Sequence, residues 1–172
     1  MTTTNNGSLV GTQARPRGGK FLTFVLAGEE YGLEILKVHE IIGMLPITRV
    51  PRTPESIRGV INLRGKIIPI MDLRSRFGMR TDDVQESCII VVQAHGVQVG
   101  VVVDRMSEVA DIKDEQIEDV PSFGTDVDTE FLLGIAKCQG QVKLLLDIER
   151  VLSHEDVAVA QGVSAAGEGS ID

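Results

Sequence analysis

The chain has 172 residues, 42% of them hydrophobic but only 3% aromatic, with no Trp and a single Tyr, so its core must be aliphatic. A formal net charge of −8 at pH 7 argues against general nucleic-acid binding, which calls for a basic domain. No window approaches the apolar length of a membrane span, and the N-terminal region carries no apolar run of signal-peptide length, which points to a cytoplasmic protein.

Residues 1–19 are small, polar and Gly-rich, and lack the periodic apolar residues that would offset ordering entropy; they read as a flexible tail. "KFLTFVL" and "YGLEI" then flank "AGEE", a β-hairpin pattern that puts Glu29 and Glu30 in the turn as two solvated charges. "LEILKVHEIIG" fits a helical turn as well as a strand. "GVINLRGKIIPIMDL" holds two apolar runs about a Gly-containing turn. Pro69 within it lacks a donor N–H, which predicts a strand edge or strand start. "DLRSRFG" reads as a short helix with Asp72 as N-cap. "CIIVVQA" and "VQVGVVVD" flank "HG" as a second hairpin, "GIAKCQGQVKLLLDI" repeats the two-run pattern, and "DIERVLS" is a second short helix starting at Asp147. Residues 156–172 read as another flexible tail, leaving a mainly β body over 20–155.

That body contains an internal repeat. At an offset of 75, Gly59 meets Gly134, Gly65 meets Gly140, Ile70 meets Leu145 and Asp72 meets Asp147. At an offset of 68, Gly28 meets Gly96, Gly32 meets Gly100, Val38 meets Met106 and Glu40 meets Glu108. The unit is a hairpin, a third strand, a connection, a second hairpin and a short helix. About five strands per copy suit a small barrel that leaves little exposed edge, and two copies packed together bury more than either alone. The expected lobes are approximately 20–80 and 81–155, with a groove between them as a recognition surface.

The repeat also isolates one residue. Arg64 stands in an apolar stretch beside Gly65, and its counterpart in the second copy is Gln139. The unit is built without arginine there, so Arg64 is not a folding requirement. Its guanidinium offers five fixed donors to a partner, and Gly65 admits close approach of another chain. Charge supports an oriented protein partner. Residues 49–80 hold eight Arg or Lys and two acids, whereas residues 81–172 hold five basic and nineteen acidic residues.

No set of side chains here suggests catalysis. Cys88 and Cys138 lie in or beside apolar stretches and read as buried thiols, with no second ligand at metal spacing. His39, His95 and His154 are scattered. No Gly-rich phosphate loop is present, and the repeated Asp72 and Asp147 are better explained as caps than as an acid–base pair. No cofactor or metal is expected.

"FLTFVLAGEEYGLEILKVHEI", "VPRTPESIRGVINLRGKIIPIMDLRSRFG" and "VGVVVDRMSEV" together resemble the CheW family, the adaptor or coupling proteins of bacterial chemotaxis. The similarity runs over about 20–153, and its longest segment, "P-x-x-I-x-G-V-x-N-L-R-G-x-I-x-P-I-x-D-L", is matched from Pro54 to Leu73. The resemblance implies two five-stranded SH3-like β-barrels on a shared hydrophobic core. It implies a non-catalytic scaffold coupling the cytoplasmic hairpin tips of chemoreceptors to the histidine kinase CheA, recruited to membrane-associated receptor arrays. The family's receptor-contacting positions match Val38, Glu40, Gly59, Asn62 and Arg64; kinase-contacting positions are not assigned. Two other readings remain: a small-molecule enzyme or sensor using the groove, and a CheW-like adaptor of a receptor–kinase pathway outside chemotaxis.

Overall fold

The computed structural model describes residues 17–80, 87–120, 129–153, 156–159 and 162. Four hairpins set the local architecture. β1 (Gly19–Leu26) pairs with β2 (Glu29–Glu34), and β4 (Ile57–Leu63) with β5 (Lys66–Asp72). β6 (Cys88–Ala94) pairs with β7 (Val97–Val103), and β10 (Leu132–Cys138) with β11 (Gln141–Leu146). Their turns are Ala27-Gly28, Arg64-Gly65, His95-Gly96 and Gln139-Gly140, with φ between 51° and 87° at all eight positions. This is type I′ geometry, whose twist matches the flanking strands.

Three single strands complete the set: β3 (Val38–Gly43), β8 (Arg105–Ile112) and β9 (Ile117–Glu118). Two sheets result, ordered β3-β6-β7-β5-β4 and β8-β1-β2-β11-β10-β9. Neither comes from one half of the chain. The β1–β2 hairpin lies in the sheet of β8, β10 and β11, and β6–β7 lies in the sheet of β3, β4 and β5. A division near residue 80 therefore separates sequence repeats but not sheets. The connections show why. Asp104 alone separates β7 from β8, and a single 3-10 turn, Ile35–Lys37, separates β2 from β3. Each strand bends through a corner into the other sheet.

The repeat is written into the packing where the two halves meet. β2 runs parallel to β11 with Gly32 opposite Leu145, and β7 runs parallel to β5 with Gly100 opposite Ile70. A Cβ at Gly32 would lie 2.9 Å from the Leu145 side chain, and one at Gly100 would lie 2.6 Å from that of Ile70. The main core draws on both sheets, with Leu22, Phe24 and Leu33 from one meeting Ile90, Val92 and Val101 from the other. Smaller clusters sit around Ile61, Ile68 and Ile89 in the five-stranded sheet and around Phe21, Ile112 and Leu145 in the six-stranded one. Phe24, Tyr31, Phe77 and Phe131 form a column with successive ring centroids 5.9, 6.0 and 5.7 Å apart.

Helices α1 (Leu73–Arg76) and α2 (Ile148–Val151) start where the sequence places them. Asp72 accepts from the Arg74 and Ser75 N–H groups, and Asp147 accepts from Glu149 N–H. Three expectations need correction. Pro69 is in a strand with neighbours on both sides, but it faces Val60, whose own N–H and C=O bond to Thr48, so no β4–β5 bond is lost at proline, and the paired register with β7 starts after it, at Ile70. Glu29 and Glu30 open β2 instead of forming the turn, and Glu30 accepts from Ser107 Oγ at 2.9 Å. The packed body reaches further out than composition implies. Arg17 N–H donates to Asp114 and its guanidinium to Asp119 and the Leu133 carbonyl, while Val157 is buried in the main core. Residues 1–16 and 163–172, most of both expected tails, lie outside the described residues, as does His154.

Candidate functional site

The five-stranded sheet is closed between its two outer strands. Thr48, just beyond β3, exchanges both backbone hydrogen bonds with Val60 of β4, at 2.8 and 2.9 Å. Across the same seam, an ion pair joins Glu40 of β3 to the guanidinium of Arg64 in the β4–β5 turn. Glu40 is 25% exposed and Arg64 68%, so the pair lies at the surface with its anion half-covered.

The other sequence-predicted positions divide around this pair. Asn62 is exposed, and its side-chain Oδ1 accepts the Gly65 N–H at 2.8 Å, within the turn that carries Arg64. Val38 is half-buried at the start of β3, facing Val92 of β6 and packing on the main core. Gly59 is not on the surface. It is buried at a bulge in β4 with φ 143°, and a Cβ there would lie 2.1 Å from the Thr48 carbonyl oxygen. The structure thus joins Glu40 to Arg64, brings Asn62 to their turn, and gives Gly59 the task of letting the closing segment approach.

The six-stranded sheet carries a charged cluster of a different kind, drawn from β8, β2 and β11. Glu108, the repeat counterpart of Glu40, sits 3.2 Å from Lys143 Nζ of β11, which also lies 3.5 Å from Glu30 of β2. Lys143 is only 4% exposed. Gln139, the counterpart of Arg64, takes no part in it. Sequence reading missed Lys143, although a lone lysine inside the apolar run "QVKLLLD" is the signal. It missed Thr48 as well, which nothing in its local pattern marks.

Further ion pairs fasten one sheet to the other. Asp104, at the β7–β8 corner, accepts Arg74 Nε at 2.8 Å and Arg74 NH2 at 2.6 Å, and also the Ala27 N–H at 2.8 Å. Burial works to raise the Asp104 pKa, but these hydrogen bonds and the Arg74 charge prevail and hold it below the usual aspartate value. At the equivalent place in the other repeat, Glu149 accepts His95 N–H and Lys37 Nζ, each at 3.4 Å. The His95 N–H, first among several causes, keeps the Glu149 pKa low. His95 Nε2 also lies 2.9 Å from the Glu149 carbonyl and 2.7 Å from that of Leu152, a structural role. Arg76 reaches Asp156 at 3.4 Å and lies over the Phe131 ring. Within the basic run from Arg49 to Arg80, Arg64, Arg74 and Arg76 are thus each paired with a carboxylate, and of the three Arg64 is the most exposed.

Among the described residues no group of three or more His, Cys, Asp or Glu could hold a metal ion, and no helix is long and apolar enough to cross a membrane. Cys88 is buried, which raises its thiol pKa, while Cys138 is only half-buried. A depression of about 510 Å³ is lined by His95, Glu130, Glu149, Arg150 and Ser153, but the Glu149 carboxylate in it is already engaged by His95 and Lys37.

The CheW-like domain model matches residues 20–156. The chain belongs to the CheW-like family. It is 42% identical over 148 residues to the chemotaxis protein CheW of Klebsiella aerogenes, covering 86% of this chain and 89% of that protein. It is 33% identical over 142 residues to a probable chemotaxis protein CheW of Rhizobium etli, covering 82% and 92%. The crystal structure of the scaffolding protein TtCheW from Thermoanaerobacter tengcongensis superposes with a TM-score of 0.74 at 40% identity, covering 81% of this chain and 95% of that one. The CheW-like match begins one residue after β1 starts and ends at Asp156, so it takes in both sheets.

Proposed function

We propose that this chain is a non-catalytic chemotaxis scaffold that couples the cytoplasmic tips of chemoreceptors to the histidine kinase CheA. In this reading it works in the cytoplasm and is drawn to membrane-associated receptor arrays by its partners. Family membership supports the adaptor role, and the relatives bear chemotaxis names. The observation that carries the receptor assignment is the Glu40–Arg64 pair, displayed on a turn whose repeat counterpart closes equally well with Gln139. A guanidinium already oriented by one carboxylate keeps further N–H donors for a partner's carbonyl or carboxylate groups. Glu40 and Val38 extend that surface from polar to apolar, which suits the side of a helical hairpin.

The test is binding of the full chain to a receptor-tip fragment, compared with Arg64→Glu and Gln139→Ala. Arg64→Glu leaves the fold intact, because a pair this exposed contributes under about 1 kcal/mol to stability. It weakens receptor binding by about 2–5 kcal/mol if the guanidinium is desolvated in the complex. Gln139→Ala binds as the parent does. Unchanged binding by folded Arg64→Glu refutes the assignment, and a large loss from Gln139→Ala places the receptor surface on the other sheet.

A further inference from the structure

We propose that Asn62 is a positioning residue: it holds the β4–β5 turn so that Arg64 meets Glu40, and it does not itself form part of the docking surface. The proposal rests on the receptor-docking reading of Arg64 and assigns a different task to its neighbour. In a two-residue type I′ hairpin the residues flanking the turn, here Leu63 and Lys66, satisfy each other across the ladder. The N–H of the second turn residue points away from that ladder. Here it belongs to Gly65, and Asn62 Oδ1 takes it at 2.8 Å. The carboxamide thereby spans the turn from the strand residue before it, bracketing Leu63 and Arg64 between its two ends.

The other three hairpins provide the comparison. Val25, Gln93 and Lys137 hold the position of Asn62 before the turns Ala27-Gly28, His95-Gly96 and Gln139-Gly140. None of them bonds to its turn glycine among the described residues. All four turns fold, so the bracket is not needed to form one. It accompanies the exposed ion pair of Arg64 with Glu40, 24 residues away on the opposite outer strand, whereas the His95 side chain, half-buried against the Glu149 and Leu152 carbonyls, is held without one. Arg64 is also a non-glycine residue at φ 53°, a left-handed conformation that an L residue rarely adopts, and the bracket opposes its relaxation. With the turn fixed, the Cα–Cβ direction of Arg64 is fixed, and the guanidinium falls on Glu40. The Asn62 oxygen is engaged inside the turn, so what the exposed carboxamide keeps for a partner is its NH2 group and not the acceptor that holds Gly65.

The experiment uses the full chain with Asn62→Ala, Asn62→Asp, Arg64→Ala and the Asn62→Ala/Arg64→Ala double variant. Two quantities are read: affinity for a receptor-tip fragment, and hydrogen exchange at the Gly65 amide. Asn62→Ala is expected to speed Gly65 exchange and weaken binding roughly three- to tenfold, the range set by one neutral hydrogen bond. Asn62→Asp, which keeps the acceptor, restores slow exchange. In the Arg64→Ala background Asn62→Ala causes no further loss of affinity, because its effect passes through Arg64. Additive losses in the double variant would show Asn62 touching the partner and overturn the proposal, as would unchanged Gly65 exchange in Asn62→Ala. If exchange rises while neither Arg64→Ala nor Asn62→Ala alters binding, the turn assignment stands and the receptor reading fails.

Discussion

Replacing Arg74 with methionine removes a charge from the joint between the two sheets while keeping a side chain of similar length. Arg74 and Asp104 are 15% and 12% exposed, and their pairing is two-pronged at 2.8 and 2.6 Å. Taking one member from a buried ion pair costs about 3–5 kcal/mol. Asp104 keeps the Ala27 N–H and some access to water, which brings the expected loss to about 2–4 kcal/mol at pH 7. The pH dependence carries a sign. In the parent protein the Asp104 pKa is depressed, so its contribution is present above the unfolded value of about 3.9 and is lost as pH falls through the folded value. Without Arg74 burial dominates and raises the folded value, so the variant regains stability as the carboxyl protonates. The gap between the two proteins is therefore widest near neutrality and narrows in mild acid. Urea unfolding at pH 7 and pH 4.5 measures it, followed by far-UV circular dichroism because the chain has no Trp. A gap under about 1 kcal/mol at pH 7, or one that fails to narrow in acid, refutes the reasoning.

Two further substitutions probe the Thr48–Val60 closure and the Lys143 cluster. Gly59→Ala sets a Cβ 2.1 Å from the Thr48 carbonyl and forces the Thr48–Val60 contact apart, with an expected loss of about 2–5 kcal/mol from strain and two backbone bonds; a urea midpoint equal to the parent's would contradict it. Lys143→Met keeps the buried stem and drops the ammonium, and because Glu108 is 61% exposed and readily hydrated the change in stability stays within about 1 kcal/mol. A loss above roughly 3 kcal/mol in the same titration would show the ammonium to be essential to that cluster.

Local features of this fold were legible in the sequence, and partners distant along the chain were not. The four X-Gly turns, the caps at Asp72 and Asp147 and the repeated glycines follow from residues within a few positions of each other. The exchange of hairpins does not. Both repeats carry the same Val, Ile and Leu alternation, so periodicity is equally content with either assembly, and only the short corners at Asp104 and Ile35–Lys37 decide between them. Charge counting leaves out which groups are paired, for the same reason. Arg74 finds Asp104, Arg76 finds Asp156 and Arg64 finds Glu40, each across at least 24 residues. The Arg64–Gln139 difference singled out Arg64 and the family resemblance supplied the other candidate positions, yet the pairing of Arg64 with Glu40 and the covered position of Gly59 required coordinates.

The crossed hairpins have a bearing on fragments of this chain. A break between Arg80 and Ser87 yields two pieces that each lack strands for both sheets: the first owns β1 and β2 without their sheet, and the second owns β6 and β7 without theirs. Neither piece can bury the main core alone, and each carries the hairpin the other needs. Mixed together, they should reconstitute the β signal in circular dichroism and bind each other at one to one, so the molecule is a natural candidate for a split reporter. Two pieces cut along the sheets themselves could not be made from continuous chain at all.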